Sequence, residues 1–172
     1  LFSYPEFALW RTLSIAASPP PRSRIEASVA TKHTVWRVRF SPDGARLAVG
    51  TEQREAASNT FVNHHLTIWD LASGDPTGAV AIEEGFAWSP DGRFLAATLA
   101  ARRIGILHPV DATVLRQWEI SKASAVRDVA VHPSGHQVAI GKKIGGTEIR
   151  EPMTGKLVQT HWRPTQTMAL AY

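Results

Sequence analysis

The chain has 172 residues, 44% hydrophobic and 20% charged, a balance that suits a folded globular domain with one substantial core. Its 19 Lys and Arg against 15 Asp and Glu leave a formal charge of +4. These cations are spread along the chain rather than gathered into a stripe with aromatics between them, so no nucleic-acid partner is expected. The absence of cysteine excludes disulfide scaffolds, thiolate metal sites and thiol catalysis. No apolar run reaches the ~18 residues of a membrane span.

Along the chain, FALW (7–10) and IEASVAT (25–31) read as strands on either side of the Pro-rich ASPPPRS (17–23). The small residues of LSIAAS look like a signal-peptide cleavage region, but Arg11 interrupts the apolar segment before it, so no signal is expected. Next, Trp36, Val38 and Phe40 alternate with Arg37 and Arg39, the period of a strand. The stretch FSPDGARLA (40–48) follows, is rewritten as WSPDGRFLA (88–96), and returns as VHPSGHQVA (131–139). Each copy reads as a tight turn between two strands. Pro42, Pro90 and Pro133 pre-set the first central residue of a type I turn, Asp43 and Asp91 suit the second, and Gly44, Gly92 and Gly135 accept the left-handed conformation that follows. Behind each turn come a second strand and then two more: HLTIWDL and TGAVAI, RIGILHP and VLRQWEI, TEIREPM and LVQTHW.

Units of four short antiparallel strands at a period of roughly 40–50 residues are the signature of β-propeller blades. The expected fold is all-β, a partial β-propeller with full blades at about 33–82, 83–120 and 121–163 and partial blades at 1–32 and 164–172. Three full blades do not close a ring of ~4–8. Two chains joined end to end would lack one strand inside the junction blade and strand its neighbours' backbone groups. A fragment of a longer protein that supplies the remaining blades is therefore expected, with a dimeric ring as the alternative.

At Leu66-Thr67-Ile68-Trp69-Asp70 the chain resembles the third strand of a WD40 repeat, with Trp69-Asp70 as the naming dipeptide and His33 at the upstream histidine position. The resemblance implies a hydrogen-bonded tetrad in which Asn63 takes the Asp place and Val49 stands where Ser is usual, so the network is incomplete. Leu107-His108 and Arg150-Glu151 hold the Trp-Asp places of the later units. WSPDGRFLA preceded by GFA also resembles the repeats of TolB-type and peptidase-associated propellers.

No nucleophile elbow, phosphate loop or zinc-protease motif is present. Neighbouring strand residues such as His64 and His65 point to opposite faces, and His132 and His136 flank a turn without an accompanying carboxylate, so no metal or cofactor is expected. The resemblance implies that loops on one rim bind partners. There the candidates are Arg54, Phe61, His64, His65, Arg102, Arg103, Lys142 and Lys143, a set with a basic bias that Glu52, Glu55, Glu83 and Glu84 dilute. The expected function is a non-enzymatic scaffold that binds a protein or peptide, in the cytoplasm by preference. The alternatives are the propeller of a multidomain enzyme, serine peptidase-like or kinase-linked, and a TolB-like periplasmic module.

Overall fold

The computed structural model describes residues 33–54, 61–99, 102–120 and 125–162. The partial blades expected at 1–32 and 164–172 lie outside them. Among the described residues there are twelve strands and no helix. They form three four-stranded antiparallel sheets of consecutive strands. Sheet 1 holds β1 (His33–Phe40), β2 (Arg46–Arg54), β3 (Phe61–Asp70) and β4 (Pro76–Ala81). Sheet 2 holds β5 (Phe86–Trp88), β6 (Leu95–Leu99), β7 (Arg103–Leu107) and β8 (Val114–Glu119). Sheet 3 holds β9 (Val126–Val131), β10 (Val138–Lys142), β11 (Thr147–Arg150) and β12 (Leu157–His161). The sheets pack face to face in sequence order, an open, partial propeller.

Two seams make the core. At the first, Ala48, Leu66 and Ile68 of sheet 1 meet Phe86, Leu95, Ala97, Leu99 and Leu107 of sheet 2, with Trp36 and Trp88 packed against them. At the second, Ala96, Ile104 and Ile106 of sheet 2 meet Val126, Val129, Val131, Val138 and Ile140 of sheet 3. Sheet 2 is thus covered on both faces, and β6 is buried at every position.

The alternation read in β1 marks a strand but misplaces its faces. The register shifts between Val35 and Arg37, and a bulge of this kind puts two successive residues on one side. Trp36 packs edge-on against Phe86, and Arg37 also lies over that ring. Val38 and Phe40 then fall on the far face, 47% and 66% exposed. In β2 small residues take the seam. Ala48 is fully buried, and a Cβ at Gly50 would lie 2.8 Å from the Phe86 ring.

The nonapeptide turns share one set of bonds. Gly44, Gly92 and Gly135 have φ of 69°, 70° and 73°, and their N–H groups donate to the carbonyls of Ser41, Ser89 and His132. Proline and glycine are only half of the device. The buried Ser41 hydroxyl donates to Asp43 Oδ1 and accepts from Arg46 N, while the same carboxylate accepts from Ala45 N. Ser89 and Asp91 repeat this with Phe94 N and Arg93 N. In the third copy His132 Nδ1 and Ser134 Oγ lie 2.8 Å apart, and the hydroxyl accepts from His136 N.

These bonds, the serine hydroxyl foremost, hold the Asp43 and Asp91 carboxyls below the usual carboxylate range. Because the folded value is the lower one, the resulting stability is present above the unfolded carboxyl pKa of about 3.9 and is lost as pH falls through the folded value. An Asp43→Asn, Asp91→Asn double variant is therefore expected to lose less stability than the parent between about pH 5 and pH 2. Urea titrations across that range measure it; parallel losses in the two proteins would contradict it.

Candidate binding rim

Antiparallel order gathers the β2–β3, β6–β7 and β10–β11 connections at one end of the sheets, together with the β4–β5 and β8–β9 links. The nonapeptide turns lie at the other end with the β3–β4, β7–β8 and β11–β12 turns. On the first rim, Val62, Asn63 and His64 of β3, Ile82, Glu83 and Glu84 of the β4–β5 link, Ala125 and Lys143 line a groove of about 460 Å³. Chain segments from sheets 1 and 3 thus share one concavity, with the link to sheet 2 between them.

One residue of sheet 2 holds the β4–β5 link that lines the groove. Thr98, fully buried in β6, accepts through Oγ1 from the N–H groups of Glu84 and Gly85 at 2.8 and 2.9 Å. Its carbonyl accepts from Glu83 N at 2.7 Å, and its N–H donates to Gly85 O. Four bonds to one residue leave the link little freedom. The sequence hints at this only by placing a lone hydroxyl within the apolar LAATL.

The expected dilution of the basic bias by glutamates takes the form of direct ion pairs, and one of the expected rim cations lies elsewhere. Lys142 is not a rim cation: it is 5% exposed, and its Nζ lies 3.0 Å from Glu148 Oε1 inside the second seam. Lys143 Nζ is 2.6 Å from Glu84 Oε1, and Arg127 approaches the other oxygen of that carboxylate at 3.8 Å. Arg103 turns along β7 toward Gln117. Arg102 is exposed with φ 61°, and its carbonyl accepts from Ile120 N. Each approach of a carboxylate cancels a cation locally. The rim is mixed in sign.

His64 and His65 point apart. The His64 ring contacts the Glu83 carbonyl through Nδ1 and faces Glu52 Oε2 at 3.6 Å through Nε2. His65 Nδ1 lies 2.9 Å from Asn63 O. Arg54 and Phe61 are paired across the β2–β3 ladder; their side chains lie outside the described residues. No group of three or more metal-ligating side chains occurs among the described residues, and no described helix is long and apolar enough to cross a membrane.

The tetrad positions are spread along sheet 1. His33 pairs with Gln53, whereas Trp69 pairs with Leu47. Six residues of β2 separate those rows, roughly 20 Å of strand, too far for the imidazole and indole to meet directly. Asn63, at φ 56°, donates its amide to Gln53. Val49, between Val38 and Thr67, offers no hydroxyl to bridge the gap. Asp70 instead shapes the β3–β4 turn, accepting from Ala72 N and Ser73 N at 2.9 Å each. In the third blade Arg150 occupies the Trp place and donates to Glu148, two residues back on β11.

Three stacked four-stranded sheets, each turned at the same two places, define a β-propeller segment. The family model described as WD domain, G-beta repeat, the WD40 repeat, matches residues 26–70; the chain carries a WD40 repeat there, of which 26–32 lie outside the described residues. Among solved structures, the chain is similar to the β-propeller domain of Cps50 (Swd1) from Myceliophteria thermophila. The TM-score is 0.54 at 20% identity, covering 73% of this chain and 39% of that one. The chain therefore spans well under half of that propeller's length, and at this identity the likeness shows the fold. A search of curated proteins gave no match.

Proposed function

We propose that this chain is a segment of a non-enzymatic scaffold that binds a protein partner, and that the rim groove between sheets 1 and 3 holds a peptide of that partner. The observation that carries this reading is the groove itself. Thr98 holds the link beside it, and its lining is apolar at Val62 and Ile82 and polar at Asn63, Glu83 and Lys143. A pre-formed concavity with apolar walls and a few placed polar groups is what recognition requires. The WD40 repeat supports the scaffold role, since proteins of this class generally serve as interaction platforms; the partner must be argued from the site.

Peptides selected from a displayed random library on the parent protein test the reading. Their affinity is expected to fall by at least about tenfold, ~1.4 kcal/mol, on Val62→Glu and Lys143→Glu, and to be unchanged on Met153→Glu at the opposite rim. Selected peptides that respond only to Met153→Glu would overturn it. Lys142→Glu is unsuitable as a probe, because that lysine is buried against Glu148.

A further inference from the structure

Repeats of this kind contact their nearest neighbours, so their stability is close to a sum of unit terms and neighbour terms. Among the described residues, a bond skips a blade. Arg37 NH1, on β1 of sheet 1, donates to Asp128 Oδ1, on β9 of sheet 3, at 2.7 Å and across 91 residues of sequence. The guanidinium passes over sheet 2 on the way, 6.0 Å from the centre of the Phe86 ring, and lies 5.3 Å from that of Trp36. The bulge between Val35 and Arg37 gives the arginine this heading. At the far end Asp128 is 3% exposed, and its Oδ1 also accepts from Val129 N. Gly85, at the head of β5, leaves the room: a Cβ there would sit 2.7 Å from the same oxygen.

We propose that Arg37 and Asp128 form a strap that couples sheets 1 and 3 across sheet 2, so that the three blades open as one unit instead of one at a time. Without the strap, sheet 1 peels away by breaking the first seam alone. With it, peeling sheet 1 also withdraws the guanidinium from a buried carboxylate in sheet 3. Taking a charged donor away from a buried carboxylate is destabilising, so the two openings are linked.

Native-state hydrogen exchange of the full chain in rising urea, read by mass spectrometry, tests this. In the parent, amides of β2 and β3 and those of β10 are expected to exchange through one shared opening. Asp128→Asn alters sheet 3, yet it is expected to accelerate exchange in sheet 1 by roughly 100-fold and to split the shared opening. Arg37→Met is expected to do the same, and the double variant to accelerate sheet 1 no more than either single change. Separate openings in the parent would overturn the strap. So would an Asp128→Asn variant in which only sheet 3 loosens, the result of a purely local role. Should these variants not fold, Arg37→Gln, which removes the charge, decides: a separate, faster opening of sheet 1 supports the coupling, and sheets 1 and 3 still opening together overturns it.

Discussion

Glu148→Ala is expected to destabilise the protein by about 3–5 kcal/mol, the usual result of leaving buried charges without their partner. Glu148 is 2% exposed. Its two oxygens are divided between Lys142 Nζ at 3.0 Å and the Arg150 guanidinium at 2.8 Å. Arg150 also donates to Gly155 O at 2.7 Å, in the turn that packs on the Trp118 side chain. Removing the carboxylate would leave two cations facing each other in the second seam. Urea unfolding with an unchanged slope and a lower midpoint would show the loss; a change under about 1 kcal/mol, the range of an exposed pair, would contradict the buried network. Replacing Lys142 and Arg150 with Met and Glu148 with Leu in one variant is a useful companion. Exchange of a whole buried ion network for apolar residues is often neutral or stabilising, and that outcome would assign the trio to blade register.

The second large effect is expected at the other seam. Phe86 is 1% exposed, and its ring meets Trp36 edge to face at a centroid distance of 5.8 Å. Phe86→Ala is expected to cost about 3–5 kcal/mol, because the transfer term is joined by a cavity that the surrounding strands fill only in part. Gly50 lies against the same ring, so a void there would be bounded by two sheets that cannot easily close on it. Phe86→Leu, which retains most of the volume, is expected to cost less than about 1.5 kcal/mol if the neighbours repack. Thermal unfolding of both variants measures the difference. Equal losses would mean that the aromatic edge contact, rather than filled volume, holds the first seam.

The strands and nonapeptide turns were legible because their signals are local. Pro42 and Gly44 act within their own turn, and so do Asp91 and Gly92. Which face of a strand lies inward was less legible. In β1 the bulge cannot be read from TVWRV, and in β2 the buried side is carried by Ala48 and Gly50 because bulky residues opposite already fill the space. The rim charges failed for a similar reason. Lys142-Lys143 looks like a solvated pair, yet the two lysines meet different carboxylates, Glu148 inside the seam and Glu84 on the link. TEIRE carries no local sign of burial, while Glu148 is held inward by Lys142 of the neighbouring strand and in turn holds Arg150. Thr98 shows the same limit: the four bonds it makes to 83–85 depend on a segment 13–15 residues earlier in sequence.

The two seams also differ in a way that light can read. Trp36 lies against the first seam and Trp118 against the second, and the indole N–H of each is buried without a hydrogen-bond partner among the described residues. An indole in such a setting emits toward the blue and moves to the red when water reaches it. A chain that retains Trp36 alone would report the parting of sheets 1 and 2 by its own emission. One that retains Trp118 alone would report sheets 2 and 3. The fold thus carries a native fluorophore at each of the two described seams, and their separation can be followed in time without an attached dye.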